Sequence, residues 1–150
     1  MRIIGGQFRG LHLAPVGEGD PQAHLRPTSD RVRESIFNLL INGGYGDPIT
    51  GARVLDLFAG TGALGREAIS RGAAYADFVE FRPASLHALK ANVAALRLLE
   101  RTRIFKKDAV PWTAALDEGR YDIAFVDPPY ESKVLDRILE MWRAKPFARI

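Results

Sequence analysis

The chain of 150 residues contains no cysteine. That absence removes disulfides, thiolate metal sites and thiol nucleophiles together. Histidine is scarce: His12, His24 and His87 stand far apart, with no metal-ligand spacing, and no metal is expected. No apolar run reaches the roughly 18 residues that a membrane span needs. The opening "MRIIGGQFRG" lacks the apolar core of a signal peptide. A cytoplasmic protein without a membrane partner is therefore expected. Lysine is also sparse, so arginine carries most of the positive charge, and arginine suits bidentate phosphate contacts. A formal net charge of only +3 permits nucleic-acid binding without demanding it. What is abundant is apolar: 47% of the residues, enough for one domain with a real core.

Gly5-Gly6 and Gly10 predict a short hairpin at the N-terminus, with Arg2, Arg9 and His12 exposed. A looser stretch, Glu18 to Pro27, follows. Thr28, Ser29 and Asp30 are N-cap candidates for a helix over 30–41, whose apolar face would be Val32, Ile36, Leu39 and Leu40. From Arg53 strands and helices alternate. "ARVLDLFA", "ADFVEF", "RTRIFK" and "YDIAFV" read as strands. Helices are expected after the glycine-rich loop with Gly72 as stop, from Pro83 with Leu86, Leu89, Val93 and Leu96 on one face, briefly after Pro111, and over 132–142. Such alternation predicts an α/β fold with a mainly parallel sheet and helices on both faces. Ligands of these sheets bind at the carboxyl ends of the strands.

"DLFAGTGALG" joins the first core strand to its helix. Gly60, Gly62 and Gly65 satisfy G-x-G-x-x-G, and Glu80 follows about 20 residues on, at the next strand end, where it can accept from ribose hydroxyls. That spacing serves a nicotinamide dinucleotide as well as S-adenosylmethionine. Three features favour the latter. Asp56 lies in the strand just before the loop, where a carboxylate can meet an ammonium. Asp108 follows the third strand, placed to accept from an adenine amino group. The third is Asp127-Pro128-Pro129-Tyr130, which closes the fourth strand.

Neither proline can donate to a sheet ladder, and Asp127 is pushed towards an extended conformation by Pro128. The run thus fixes a carboxylate and an aromatic ring stiffly at a strand end. An exocyclic amine on a purine is a poor nucleophile because its lone pair is delocalised into the ring. The Asp127 carboxylate and the Pro128 carbonyl can hold its two N–H bonds while the lone pair turns out of the plane. Tyr130 can stack on a base swung out of its helix. The missing thiol also counts against methylation at C5 of a pyrimidine.

These residues resemble the RsmD-type bacterial 16S ribosomal RNA guanine-N2-methyltransferases. The similarity runs from "MRIIGGQFRG" through "LRPTSDRVRESIFNLL" and "LDLFAGTGALGREAISRGA" to "FVDPPY", nearly the whole chain. The resemblance implies a Rossmann-like class I methyltransferase fold with S-adenosylmethionine as donor. It implies one guanine of 16S rRNA, in an assembled small ribosomal subunit, as target. Residues 1–27 would be an RNA-binding extension and 28–150 the methyltransferase domain, monomeric when full length. By motif, Asp127, Pro128, Pro129 and Tyr130 carry over as the catalytic clamp. Asp56, Phe58, Gly60, Thr61, Gly62, Glu80, Asp108 and Ala109 carry over as the cofactor shell, and Arg2, Arg9, Arg26, Thr28, Arg31 and Arg33 as the RNA-binding set. The family's sheet has seven strands, so three more would follow the DPPY helix, the first starting near "KPFARI". Without them an apolar edge would be exposed and association expected. DPPY alone would equally suit DNA or RNA adenine-N6 methylation, and a non-catalytic RNA-binding or assembly module is the other alternative.

Overall fold

The alternating pattern folds as its periods predict. A computed structural model describes residues 2–12, 30–95, 99–128 and 132–149. The first helix, α1, spans Asp30–Asn42. Strand β1 (Arg53–Leu57) leads through the glycine loop into α2 (Ala63–Ser70) and on to β2 (Tyr75–Glu80). Helix α3 (Pro83–Ala95) follows, then a 3-10 turn, Leu99–Arg101, and β3 (Thr102–Lys106). Helix α4 (Ala109–Ala114), β4 (Ile123–Val126) and α5 (Ser132–Ala144) complete the order.

All four strands are parallel, in the order β3-β2-β1-β4. The chain builds outward from β1 to β2 and β3, then returns to place β4 on β1's other side. That reversal opens a crevice at the carboxyl ends of β1 and β4, the place where such sheets take their ligands. Phe37, Leu64, Ala68, Phe78, Leu89 and Val93 pack α1, α2 and α3 against one face. Ala109, Tyr121, Ile138 and Phe147 pack α4 and α5 against the other. Asp77, a buried acid inside β2, is matched on that second face. It accepts two hydrogen bonds from Arg103, at 2.9 and 2.7 Å, and one from the Tyr121 hydroxyl at 2.6 Å. Beyond β4, Arg149 already makes a parallel bridge with Ile123, where the fifth strand was expected to start.

Several expectations need correction. Helix α1 is rotated from its predicted phase. Val32 and Leu39 are 51% and 56% exposed, while Phe37 and Arg33 are fully buried. Ile36, Leu40 and Ile41 pack partly against the core. The rotation follows from Arg33, drawn inward by a buried acid described below. Helix α4 starts at Ala109, before Pro111, because Asp108 caps it; Pro111 sits in the first turn, where its missing N–H leaves no bond unmade. The N-terminal hairpin is a loop with a single antiparallel bridge, Arg2 to His12, rather than a ladder. Thr28, Ser29 and Leu96 fall outside the described residues.

Candidate active site

Strand β1 ends in a corner that ordinary residues avoid. Phe58 takes φ 57, and Gly60 and Gly62 follow with φ 58 and 80. Left-handed backbone at a non-glycine residue is sparse, and it persists where surrounding bonds hold it. Here Ala59 N–H donates to the Val79 carbonyl at 3.1 Å, and Gly62 N–H to the Ala59 carbonyl at 2.8 Å. Gly62 is doubly constrained, since a Cβ there would lie 2.5 Å from Leu89 Cδ1. The Thr61 carbonyl, at the loop's crest, accepts from Arg66 Nη1 at 3.2 Å and Asn92 Nδ2 at 3.1 Å. Helix α2 and helix α3 thus both grip the loop.

Three carboxylates meet around it. Asp56, 2% exposed at the end of β1, accepts the Gly65 N–H at 3.0 Å. Burial, together with the negative charges of Asp127 and Glu80, raises its pKa to about 8 against the bond from Gly65 and the positive charge of Arg66. Glu80, buried at the end of β2, accepts from Gly60 N–H at 2.9 Å with one oxygen. Its other oxygen takes the N–H groups of Phe81 at 2.7 Å and Arg82 at 3.0 Å. A carboxylate offers about four lone-pair positions, so one remains for a ribose hydroxyl. Asp127 stands exposed just past β4, whose Val126 is in register with Leu57.

At β3's end Asp108 caps α4, accepting Val110 N–H at 3.2 Å, with Ala109 buried behind it. One of its oxygens is therefore engaged by the helix. Pro128 is half-buried at the site's edge; Pro129 and Tyr130 lie outside the described residues. The structure brings Asp56, Phe58, Gly60, Thr61, Gly62, Glu80, Asp108, Ala109 and Asp127 to one edge of the sheet.

The arginine set divides. Arg2, Arg9 and Arg31 are exposed and line one cleft. Arg33, expected on an RNA-facing surface, is instead fully buried. Its Nε donates to Glu67 Oε1 at 3.3 Å, and its Nη2 donates to Asp30 at 2.8 Å and to the Arg2 carbonyl. A guanidinium with three such acceptors is a strut inside the fold, so the RNA-binding assignment of Arg33 is withdrawn. Arg26 and Thr28 lie outside the described residues.

Sequence reasoning missed Glu67 and Ser70 on α2. Glu67 accepts the N–H groups of Ile4 at 2.8 Å and Gly5 at 3.0 Å, while the Ser70 hydroxyl accepts from Phe8 N–H at 2.9 Å. The available signal was a charged pair, Arg66-Glu67, inside a helix otherwise made of small and apolar residues.

The family model described as Conserved hypothetical protein 95 matches residues 1–147. The chain belongs to this family. Its relatives include Ribosomal RNA small subunit methyltransferase D of Escherichia coli (strain K12), 40% identical over 141 residues, which cover 94% of this chain and 66% of that protein. YlbH of Bacillus subtilis (strain 168) is 38% identical, covering 94% and 73%. The chain thus spans about two thirds to three quarters of these relatives' lengths. The solved structure of yhhF from Escherichia coli superposes with a TM-score of 0.79 at 39% identity, covering 99% of this chain and 75% of that one. The solved structure of HI0767 from Haemophilus influenzae, named a putative methylase, gives 0.73 at 27% identity, covering 96% and 73%. The family resemblance of the motifs is borne out, and the architecture is the α/β fold of class I methyltransferases. Among the described residues no helix is long and apolar enough to cross a membrane, and no cluster of metal-ligating side chains occurs.

Proposed function

We propose that this member of the Conserved hypothetical protein 95 family transfers a methyl group from S-adenosylmethionine to the N2 amine of a guanine in 16S rRNA. The observation that carries the reading is the pairing of β4 with β1. It sets Asp127 at the mouth of the crevice, beside the carboxyl ends of the strands that carry Asp56 and Glu80, where its charge adds to the burial that raises the pKa of Asp56. The names of the curated relatives support rRNA as substrate class.

The residues fit the cofactor. Asp56, Glu80 and Asp127 gather at the carboxyl ends of three strands, where burial and the neighbouring carboxylates keep the Asp56 carboxyl protonated up to about pH 8. A ligand bearing an ammonium favours its ionised form and so recruits it as a partner. When bound, S-adenosylmethionine supplies the electrophilic methyl group. Asp56 would meet the ammonium, Glu80 the ribose hydroxyls and Asp108 the adenine amine, with the Gly60–Gly62 backbone allowing close approach.

The chain's own contribution is positional. Asp127 and the Pro128 carbonyl accept the two N–H bonds of the target amine and turn its lone pair outward, and Tyr130 stacks on the base. Asp127 need not be a strong base, because the alkylated ammonium loses its proton readily. Most of the acceleration comes from holding nucleophile and methyl group in line. The test is transfer of labelled methyl to small-subunit rRNA, with hydrolysis to nucleosides. Label in N2-methylguanosine that Asp127→Ala abolishes, with S-adenosylhomocysteine binding retained, is the expected result. Label in N6-methyladenosine, or an unchanged rate in Asp127→Ala, would overturn it.

A further inference from the structure

We propose that Arg66 is a positioning residue for the cofactor, holding the glycine loop from behind and balancing Asp56 once that acid ionises. The inference rests on the S-adenosylmethionine reading above and deepens it by one residue.

Arg33 and Arg66 are both fully buried, yet they are served differently. Arg33 has acceptors on Glu67, Asp30 and Arg2. Arg66, the fourth residue of α2, donates from Nη1 to the Thr61 carbonyl at 3.2 Å, while its Nε and Nη2 have no hydrogen-bond partner. A charged group left partly unbonded out of water works against the fold, and an apolar side chain of similar size would fit the place better. Folds carry such losses at the sites that act.

The surroundings of Arg66 say what it acts on. The Thr61 carbonyl is held by Arg66 from α2 and by Asn92 Nδ2 from α3, at 3.1 Å. Both donors are buried, so that oxygen is turned into the fold and away from a ligand's own carboxylate. The arginine stem packs under the same loop: a Cβ on Gly62 would stand 3.2 Å from Arg66 Cδ. Asp56 is fastened to the same turn, through the N–H of Gly65, one residue before Arg66.

Charge completes the argument. Arg66 faces Arg33 of α1, Asp56 of β1 and Glu67 of its own helix, and Asp56 also faces Glu80 and Asp127. Glu67 is already engaged by Arg33, Arg71 and two backbone N–H groups. Asp56 is therefore the acid left for Arg66 to balance. Burial and the charge of Arg33 bring the pKa of Arg66 down to about 9, so it stays charged at neutral pH. A ligand ammonium that draws the proton of Asp56 off to solvent leaves a carboxylate that both cations favour.

The test is titration of the Asp56 carboxyl in the full folded chain by carbon-13 NMR, assigned with Asp56→Asn. Affinity for S-adenosylhomocysteine at neutral pH and the urea midpoint are measured alongside. Arg66→Met removes the charge at similar length. It should raise the Asp56 midpoint by about one pH unit and weaken analogue binding about tenfold, since one unit is a tenfold change in the ease of ionisation. Its urea midpoint should stay at or above that of wild type, because an unpaired buried charge is gone. An arginine with only a structural role would instead lower the urea midpoint and leave Asp56 where it was. Arg66→Lys keeps the charge and should return the Asp56 midpoint towards wild type. Asn92→Leu, which releases the Thr61 carbonyl without changing any charge, should weaken analogue binding with the Asp56 midpoint unmoved. An Asp56 midpoint that stays put in Arg66→Met, one that moves equally in Arg66→Lys, or a fall in the urea midpoint of Arg66→Met would overturn the role. Wild-type protein that binds no S-adenosylhomocysteine would count against the cofactor reading, with the Asp56 midpoint of the free protein still deciding the role of Arg66.

Discussion

Arg33 of α1 and Glu67 of α2 form an ion pair at 3.3 Å with both side chains fully buried. Glu67 spreads its charge over more than this partner, because Ile4 and Gly5 donate backbone N–H groups to it and Arg71 donates at 3.1 Å. One carboxylate thereby ties α1, the N-terminal loop and α2, the helix that follows the glycine loop, together.

Removing one member of a buried pair leaves the other charge uncompensated, which typically costs about 3–5 kcal/mol. Glu67→Ala is expected to lose stability on that scale in urea denaturation. Arg31→Ala, two residues from the buried Arg33 but exposed, should stay within about 0.5 kcal/mol of wild type. Equal losses from the two variants would show that the ion pair does not hold the fold.

Gly62→Ala places a methyl group where the backbone is left-handed and Leu89 Cδ1 is 2.5 Å away. The backbone term alone costs about 1–2 kcal/mol, and the overpacking about 1–3 kcal/mol more. Thermal melts should show the destabilisation, and calorimetry a loss of S-adenosylhomocysteine binding. A variant that binds normally would mean that the loop is not the cofactor's cradle.

The raised pKa of Asp56 gives a pH dependence with a definite sign. Its ordinary value is 3.8 and its folded value about 8. Between these the native state keeps a proton that the unfolded chain has lost. This contribution to stability is therefore full below about pH 4, declines as pH rises, and is gone above about pH 8. Asp56→Asn should flatten the decline in denaturation measured from pH 5 to 9. A ligand carrying an ammonium favours the carboxylate, so its affinity should increase with pH up to about 8. A pH-independent affinity would show that the ligand does not engage Asp56.

Glu80→Gln keeps the side chain's size but replaces one carboxylate oxygen by an amide that cannot accept. Its two oxygens now take three N–H groups, from Gly60, Phe81 and Arg82. The substitution should loosen the glycine loop as well as the ribose contact, weakening S-adenosylhomocysteine binding about tenfold or more, as each lost charge-assisted bond is worth about 1.5–3 kcal/mol. Binding within twofold of wild type in calorimetry would contradict this.

The parallel sheet was legible because its strands are short apolar runs set between helical periods, a pattern governed by local backbone geometry. The site's carboxyl edge was legible for the same reason: Asp56, Glu80, Asp108 and Asp127 each sit at or near a strand end. What stayed hidden depended on distant partners. Arg33 looks like a surface residue until Glu67, 34 positions later, is brought against it. That long-range pair also turned α1, so Val32 and Leu39 face outward despite fitting an apolar stripe.

Whether the crevice at β1 and β4 holds S-adenosylmethionine is decided by calorimetric titration. The chain, shown to be folded by circular dichroism, would be titrated with S-adenosylhomocysteine and separately with NAD. Saturable binding of the first at a 1:1 ratio, with no heat from the second, is the expected result. Binding of NAD, or of neither ligand by folded protein, would contradict the account.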